Sequence, residues 1–395
     1  MGIASRGNDG AISFRDWHPV GVEASGRSYS LRTGSRILTH FSPRPFDHTV
    51  DVSPGEEIDL TKLTAFTMVS YPEAGTALGI RRFRSGASNL TYLIRFTDRS
   101  LVLRRPPVGN YKGAHDMSRE YHVLSKLHRE YKLAPTVLAF CDDTSVLGVP
   151  FYLMEPIDGL ILDMAHPDAI DGVRRTGKAF CESFIEALAN LHSVDFEHAG
   201  LADLGRPDGY VERQVKGWIK RYNASKIEDI AAADEIGNWL LEHMPPQYIA
   251  ALIHNDYHLG NVVLDPHDCC SIIGVLDWEM CTIGDPLMDL GTTLSYWIES
   301  DDPEEIQKIR NLVPTLPGFM SRRELAEHYA RRSGKHLDDI VFYYAFGLFK
   351  VGVIVQQIYY RFKAGLTREP RFAAYLDVAK ALINTAIYVA RSGQL

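Results

Sequence analysis

"LIHNDYHLGNVVLDP", residues 252–266, sets two histidines, two aspartates and two asparagines between aliphatic residues. Within it, Asp256 and Asn261 form the pattern His-x-Asp-x-x-x-x-Asn. Asp277 follows Asn261 by sixteen residues and ends the apolar run "SIIGVLD". The spacing predicts two short strands that hold a polar loop and a further carboxylate at their ends.

This loop has the composition that phosphoryl transfer to an alcohol requires. A carboxylate must receive the hydroxyl proton, and oxygen ligands must hold Mg²⁺ against the nucleotide phosphates. Asp256 is therefore the candidate base, and Asn261 and Asp277 are the candidate metal ligands. One carboxylate and one amide suffice because Mg²⁺ retains several of its waters.

Two other interpretations of the loop stay open at this point. His254, Asp256 and His258 alternate along the chain, and on one face of a strand they would form the transition-metal site of a hydrolase. A motif of this length is also compatible with an ordinary polar loop between two strands. The residues upstream of the loop bear on this choice.

The upstream segment "FRSGASNLTYLIRFTDRSLVLRRPP", residues 83–107, predicts strands over 89–96 and 100–105, after a first strand that ends near residue 84. The small-residue turn before the second strand would bring Ser88 and Asn89 close to nucleotide phosphates, because its backbone N–H groups can approach them.

Side chains alternate along the strand "LVLRR", so Val102 and Arg104 share one face and Arg105 lies on the other. We expect Val102 to contact an adenine and Arg104 to reach the phosphates of the same nucleotide. The alternative is that both arginines are solvated charges on an edge strand.

The next two segments would complete a nucleotide site. Glu120, on a helix predicted in "HDMSREYHVLSKLHREY", could pair with Arg104 and direct it toward the phosphates, or it could be an ordinary helix charge. In "PFYLMEPIDG", Met154 would lie behind the adenine, and the backbone of Glu155 and Ile157 would meet its edge.

Beyond Gly159 the apolar periodicity becomes helical, apart from the short runs "NVVLD" and "SIIGVLDWE". We expect an α+β protein with a strand-rich N-terminal lobe over 55–158 and a mainly helical lobe over 159–395. Residues 1–54 are predicted to form an irregular or mobile extension. The helices are predicted over 173–193, 211–222, 229–243, 322–333 and 338–364.

The composition excludes several classes of protein. A net charge of -8 and a pI near 6.0 disfavour a nucleic-acid binder. The five cysteines include no C-x-x-C pair, and no run of 18 apolar residues occurs. These features predict a cytoplasmic protein without membrane insertion.

The segments "SGASNLTYLI", "LVLRRPP", "HDMSREYHVL", "GVPFYLMEPIDG", "LIHNDYHLGNVVLD" and "GVLDWEMCTIGDPLMDLG" together resemble the aminoglycoside phosphotransferase and choline kinase superfamily, which has the protein-kinase-like fold. More narrowly, they resemble the branch that is fused to acyl-CoA dehydrogenases. The resemblance extends from about residue 59 to the C-terminus. Asn255 stands where this superfamily usually has glycine, and Arg104 where kinases usually have lysine.

The resemblance implies an enzyme that uses ATP and Mg²⁺ to phosphorylate a hydroxyl of a small molecule. It also implies that Asp289 is a buried carboxylate that holds the catalytic loop. From the dehydrogenase branch we expect a hydroxyacyl-CoA or hydroxy acid as acceptor. A nucleotide-binding pseudokinase and an aminoglycoside O-phosphotransferase are the alternatives.

Overall fold

The computed structural model describes residues 49–83, 89–107, 116–162, 167–307, 317–367 and 369–395. Ser88 and residues 1–48 of the predicted extension lie outside this part of the chain. The predicted boundary between residues 54 and 55 stays a prediction, although the first described strand lies on its N-terminal side.

An antiparallel sheet of six described strands, in the order β1-β2-β3-β4-β6-β5, forms the N-terminal lobe together with three helices. Asp59 caps the first helix, because its carboxylate accepts hydrogen bonds from the backbone N–H groups of Thr61 and Lys62. The elements are β1 (Thr49–Val50), α1 (Leu60–Ser70), β2 (Ala77–Phe83), β3 (Leu90–Phe96), β4 (Ser100–Arg105), α2 (Met117–Glu130), β5 (Val137–Cys141), α3 (Thr144–Leu147) and β6 (Phe151–Met154).

The two faces of this sheet bury different side chains. Leu101 and Leu103 pack in a core confined to the N-terminal lobe. Val102 packs on the opposite face, in the main core that continues into the rest of the molecule. The alternation predicted for strand β4 is therefore present, and its one face is directed toward the second lobe.

The second lobe is mainly helical and contains two small antiparallel sheets, ordered β10-β9-β7 and β11-β8. Its long helix α11 packs against α8 and α12. The elements are β7 (Leu160–Ile161), α4 (Pro167–Thr176), α5 (Lys178–His192), α6 (Tyr210–Ala224), α7 (Ala231–Glu242), β8 (Ala251–Ile253), β9 (Val262–Leu264), β10 (Ile272–Val275), β11 (Thr282–Gly284), α8 (Pro286–Ser295), α9 (Glu304–Gln307), α10 (Arg322–Ser333), α11 (Ile340–Lys363) and α12 (Tyr375–Ser392).

The predicted helix over 173–193 is wrong in one respect, because the structure has two helices, α4 and α5, that meet at Gly177. This residue has φ of 46°. Such a backbone conformation is accessible to glycine and interrupts a right-handed helix. Helices α8 and α12 were not predicted from the periodicity.

Two helical segments are long and apolar enough to span a membrane by length and composition alone: 340–363 and 370–392. In the first, 78% of the apolar window is buried inside the protein, and in the second 50%. Helix α11 is thus the central core helix of the second lobe.

Candidate active site

The loop that contains Asp256 begins where strand β8 ends. β8 pairs with β11, with Ile253 opposite Thr282, and the chain leaves the sheet at the next residue. Asp256 Oδ1 accepts a hydrogen bond of 2.9 Å from the hydroxyl of Tyr296, and Asp256 Oδ2 lies 3.8 Å from His258 Nε2. The Asp256 side chain is 29% exposed. Asp256 is therefore an oriented carboxylate that a substrate hydroxyl can reach.

Asp289 holds the backbone of this loop through hydrogen bonds, as the family resemblance implies. Its side chain is fully buried, and its two carboxylate oxygens accept hydrogen bonds from the backbone N–H of His254 (2.7 Å) and of Asn255 (2.8 Å). His192 Nε2 lies 3.1 Å from Asp289 Oδ2. Burial alone would raise the pKa of Asp289, but His192 and His254 outweigh it and lower the pKa. Asp289 thus stays ionised as a double acceptor.

Asn255 occupies a backbone conformation that explains why glycine is usual at this position. Its φ is 69°, in the left-handed region that glycine adopts freely and asparagine tolerates. The side chain compensates through two hydrogen bonds, accepting from the Tyr210 hydroxyl at 3.1 Å and donating to the Met280 carbonyl at 3.0 Å. The Asn255 carbonyl in turn accepts a hydrogen bond of 2.6 Å from Lys350 Nζ.

The two candidate metal ligands are joined to the same loop. Asn261 Nδ2 donates to the carbonyl of Asp256 at 2.9 Å, so the amide oxygen of Asn261 remains as an acceptor. The backbone carbonyl of Asn261 accepts from the Leu276 N–H at 2.8 Å, which ties the loop to the residue before Asp277. Asp277 itself has φ of 67°, a costly conformation for a residue with a side chain.

Arg104 joins the N-terminal lobe to this cluster. Its Nε lies 3.1 Å from Glu120 Oε2, at an angle outside hydrogen-bond geometry, and its Nη2 donates to Asp277 Oδ1. Glu279 Oε2 is 3.8 Å from the same Nη2. The carboxylates outweigh the burial that would lower the pKa of Arg104, and they raise it. For Asp277, Arg104 outweighs burial and lowers the pKa.

One cation among three carboxylates leaves an excess of negative charge. Burial and the proximity of Asp277 raise the pKa of Glu279 to about 7, despite the charge of Arg104. Burial also raises the pKa of Glu120. Hard oxygen ligands with uncompensated negative charge suit Mg²⁺, so the residues present fit this ion. Asn261, Asp277 and Glu279 could hold it.

The residues predicted to bind the nucleotide differ in what the structure shows of them. Val102 and Met154 are direct partners across β4 and β6, and both are buried. The Glu155 N–H donates to the backbone carbonyl of Thr136 at 2.9 Å. Of the Glu155 backbone, only the carbonyl therefore remains for an adenine edge. Ile157 is half-buried. Asn89 is buried, and its Nδ2 donates to Glu279 Oε2 at 2.8 Å, toward the metal ligands.

Two alternatives from the sequence are wrong. Arg104 and Arg105 are not solvated edge charges: Arg105 is 2% exposed and its guanidinium donates to the Glu56 carbonyl at 2.7 Å. The transition-metal site of His254, Asp256 and His258 is also wrong, because strand β8 ends at Ile253 and these residues do not share one face of a strand. His254 is buried and its Nε2 donates to the Leu276 carbonyl at 2.9 Å. No group of three or more metal-ligating His, Cys, Asp or Glu side chains occurs within the described ranges.

Sequence reasoning missed two side chains of this site. Glu279 follows Asp277 by two residues in "LDWE", and a second acidic residue beside a candidate ligand was an available signal. Tyr296 contacts Asp256 from a distance of forty residues in the chain, and no local pattern indicates that contact.

A cavity of about 440 Å³ adjoins the catalytic loop at Asn255 and is lined from both lobes. The lining of this cavity is positively charged, in contrast to the net charge of -8 of the whole chain. Its lining contains five cationic residues and one acidic residue: Arg119, Arg206, Arg213, Arg221 and Lys350, with Glu279. Anionic groups are therefore favoured next to the catalytic loop.

Comparison with known proteins identifies this arrangement. The model of the "phosphotransferase enzyme family" matches residues 79–317, which is more than half of the chain. The chain belongs to the phosphotransferase enzyme family. The match covers strands β3 to β11, the loop that contains Asp256 and the candidate metal ligands described above.

The relatives and solved structures agree with this family. The chain is 32% identical over 356 residues to acyl-CoA dehydrogenase family member 11 of Rattus norvegicus, with 87% of this chain and 44% of the relative covered. It is 28% identical to a putative aminoglycoside phosphotransferase of Ralstonia eutropha JMP134, with a TM-score of 0.72 and coverage of 85% and 99%. A thermostable aminoglycoside phosphotransferase APH(4)-Ia, in complex with AMP-PNP and hygromycin B, matches at 14% identity and a TM-score of 0.55, with coverage of 85% and 100%.

These comparisons confirm the family and the kinase-like α+β fold that the sequence predicted. The chain is similar to small-molecule phosphotransferases, and it spans less than half of the length of the acyl-CoA dehydrogenase relatives that it matches.

Proposed function

We propose that this protein transfers the γ-phosphoryl group of ATP to a hydroxyl of a small molecule, with Mg²⁺ as cofactor. The observation that carries the proposal is the position of Asn261. Its side chain binds the Asp256 carbonyl and its backbone binds Leu276, so one turn holds the candidate base and both candidate metal ligands together. Five unpaired cysteines are compatible with a reducing, cytoplasmic location.

Each side chain has a specific task in this proposal. Asp256 accepts the proton of the acceptor hydroxyl, while the Tyr296 hydroxyl fixes the orientation of the carboxylate. Burial, reinforced by Asp256, raises the pKa of Tyr296, so Tyr296 remains a donor. Bound Mg²⁺ would neutralise phosphate charge at Asn261 and Asp277. Arg104, held by Glu120, provides a further cation toward the phosphates.

The cationic cavity supports an anionic acceptor, such as a hydroxy acid or a hydroxyacyl-CoA. A polycationic aminoglycoside requires carboxylates around its site, whereas the cavity beside Asn255 contains five cations and one carboxylate. The names of the acyl-CoA dehydrogenase relatives are compatible with a thioester-linked acceptor. Helix α11 contributes Lys350 to this cavity.

A nucleotide-binding protein without turnover is the second candidate. It is favoured by one observation, the direct ion pair of Arg104 with Asp277, which occupies a candidate metal ligand. In the proposed enzyme the Asp277 carboxylate would also have to hold Mg²⁺, whereas a pseudokinase could retain the ion pair with Arg104 alone.

The rates of ATP consumption by the wild type and by Asp256→Asn distinguish these two functions. Coupled ATP consumption is measured with 4-hydroxyacyl-CoA, choline, kanamycin and hydroxy acids. We expect the substitution to lower the rate by about 10² to 10⁴, because the proton acceptor is removed, while Mg-ATP affinity by calorimetry is retained. Asp265→Asn is the matched control, since its side chain accepts from the backbone N–H groups of His267 and Asp268 in a turn and asparagine can do the same. Wild-type turnover in Asp256→Asn, or no turnover of any acceptor by the wild type, contradicts the proposal.

A further inference from the structure

Helices α6 and α11 bring two cations to one tryptophan at the wall of the cationic cavity. The Arg221 guanidinium carbon lies 4.6 Å from the centre of the Trp218 ring, and Lys350 Nζ lies 5.9 Å from the same ring. All three residues line the cavity beside Asn255. Two like charges are therefore held close together next to the catalytic loop.

Lys350 is buried but incompletely bonded. Only 3% of the residue is exposed, and its ammonium donates to the Asn255 carbonyl at 2.6 Å and to Thr292 Oγ1 at 3.4 Å. An ammonium has three donors, so one remains for a ligand. Burial lowers the pKa of Lys350, while the charges of Asp256 and Asp289 oppose this effect.

Trp218 contributes a second buried donor to the same side of the cavity. Trp218 is 5% exposed, and its indole N–H has no hydrogen-bond partner. Within the described ranges, no carboxylate lies within ion-pair distance of Arg221 or Lys350. Elsewhere in the protein a buried cation such as Arg322 is paired, with Glu299 Oε2 at 3.2 Å and with Asp302.

A buried donor without an acceptor is costly unless a ligand supplies an oxygen atom. The indole N–H of Trp218 and the remaining donor of Lys350 are in this position, and Arg221 is an exposed cation beside them. We propose that Lys350, with Trp218 and Arg221, forms a subsite for an oxyanion of the acceptor and determines acceptor specificity. The class of ligand is a hydroxyl compound that also bears a carboxylate or a phosphate. This inference rests on the proposed function, because the hydroxyl is the group presented to Asp256.

The location of Lys350 explains how one residue can link binding of the acceptor's oxyanion to proton transfer at Asp256. Its ammonium holds the carbonyl of Asn255, the residue directly before Asp256. An oxyanion bound at Lys350 is therefore placed beside the base. A neutral alcohol gains no such contact and should be a poorer acceptor.

The test compares acceptors that share a four-carbon unit with a terminal hydroxyl and differ in the group at the other end, which is a carboxylate, a phosphate or an uncharged hydroxyl. 4-Hydroxybutanoate, 4-hydroxybutyl phosphate and 1,4-butanediol are assayed with Mg-ATP for the wild type, Lys350→Met and Lys350→Arg. We expect Lys350→Met to lower the kcat/KM ratio of either anion over the diol by about 10- to 100-fold, mainly through KM, since a charge-assisted hydrogen bond is lost. Lys350→Arg should restore part of the ratio. The two anions distinguish carboxylate from phosphate recognition.

Gln356→Met is the matched control. Gln356 lies on the same helix, is 1% exposed, and its Nε2 donates to the Tyr222 carbonyl at 3.1 Å, away from the cavity. We expect this variant to lose stability without a change in the anion-to-diol ratio. If Lys350→Met lowers kcat/KM equally for anions and the diol, Lys350 only supports the loop and the subsite does not exist.

A binding measurement separates this inference from the proposed function. Calorimetry with 4-hydroxybutanoate and Mg-AMP-PNP should show anion binding that weakens about 10- to 100-fold in Lys350→Met. Lys350-dependent binding without wild-type turnover would support the subsite and reject the kinase function. Turnover by the wild type with no Lys350-dependent binding would do the reverse.

Discussion

Arg104 and Arg105 are adjacent on strand β4, yet their guanidinium groups lie in different surroundings. Arg104 faces the second lobe and three carboxylates. Arg105 lies in the interior of the N-terminal lobe, where it stacks on the Tyr92 ring at 5.2 Å and donates to the Tyr92 hydroxyl at 3.0 Å. The alternation of a strand is sufficient to create this difference.

We expect alanine to affect nucleotide affinity at position 104 and stability at position 105. Arg104→Ala should weaken binding of Mg-AMP-PNP, measured by calorimetry, because the cation directed toward the phosphates is lost. Arg105→Ala should leave affinity nearly unchanged but lower the free energy of unfolding by about 2 kcal/mol or more, because the Glu56 carbonyl and Tyr92 hydroxyl lose a charged donor. Equal losses of affinity in both variants would show that the assignment of faces is wrong.

His254 provides a pH-dependent contribution to stability. It is buried and neutral: its Nε2 donates to Leu276, and its Nδ1 accepts from the Asp256 N–H at 3.3 Å. Burial lowers the pKa of His254 below its usual value of 6.5. Since the unfolded chain binds the proton more readily, the stabilisation is present above pH 6.5 and is lost as the pH falls below it.

His254→Gln removes this titration while an amide N–H can still reach the Leu276 carbonyl. Urea unfolding of the wild type and the variant is compared at pH 7.5, 6.5 and 5.5. We expect the wild type to lose more free energy of unfolding than the variant between pH 6.5 and 5.5. The lowered pKa values of Asp277 and Asp289 act below this window. Parallel pH profiles for the two proteins would be the opposite result.

At the residue scale, the proximity of Asp256, Asn261 and Asp277 could be predicted because a local spacing fixes all three positions, whereas their chemical roles stay predictions. Tyr296 and the charge balance at Glu279 could not, since they depend on contacts between remote segments. Lys350 could be recognised as polar in an apolar helix, but its contact with Asn255 arises only from helix packing.

At the element scale, the crossing of α8 and α11 determines where Lys350 lies. The two helices touch through their backbones: a Cβ atom on Gly347 would be 2.2 Å from the Gly291 carbonyl oxygen. Thr292, the next residue of α8, contacts Lys350, and Asp289 lies on the same helix. Glycine at this crossing thus sets the distance between Lys350 and the loop that contains Asp256.

Gly347→Ala should therefore destabilise the protein by about 1–3 kcal/mol or more, because the obstacle is backbone and cannot rotate away. Gly237→Ala in helix α7 is the control, since its Cβ would meet Ile219 at an ordinary 3.4 Å and alanine favours helix by up to about 1 kcal/mol. Thermal unfolding measures both. A stable Gly347→Ala protein would mean that the helices can separate at little cost.

Elements were predictable where periodicity is local and strong. The N-terminal strands and helices α6, α7, α10 and α11 fall near their predicted positions. Helix α8 was missed because nearly all of its residues are buried, so it has no amphipathic pattern. The break at Gly177 depends on one residue with positive φ, which a periodic pattern does not reveal.

At the scale of the whole molecule, the main core continues from one face of the N-terminal sheet into the helical lobe. Leu93 and Val102 of the sheet belong to the same buried cluster as Val123 and Leu127 of α2 and the interior of the helical lobe. Backbone and side-chain contacts cross the boundary as well: the Val275 N–H donates to the Leu133 carbonyl at 2.7 Å. The order of the motifs along the chain predicted the two lobes, but this continuity depends on α2 and could not be predicted from motif order.

We therefore expect the lobes to unfold together. Differential scanning calorimetry of the full chain should give one transition with equal calorimetric and van't Hoff enthalpies, because separation would expose the buried face of α2 and the ion pairs of Arg104. Hydrogen exchange should show strand β4 and helix α8 becoming unprotected at the same urea concentration. Mg-AMP-PNP, which in the proposed function binds between Arg104 and Asp277, should raise the midpoint of this single transition by mass action. Two resolved transitions, with only the first shifted by nucleotide, would mean that the shared core contributes too little to couple the N-terminal lobe to the helical lobe.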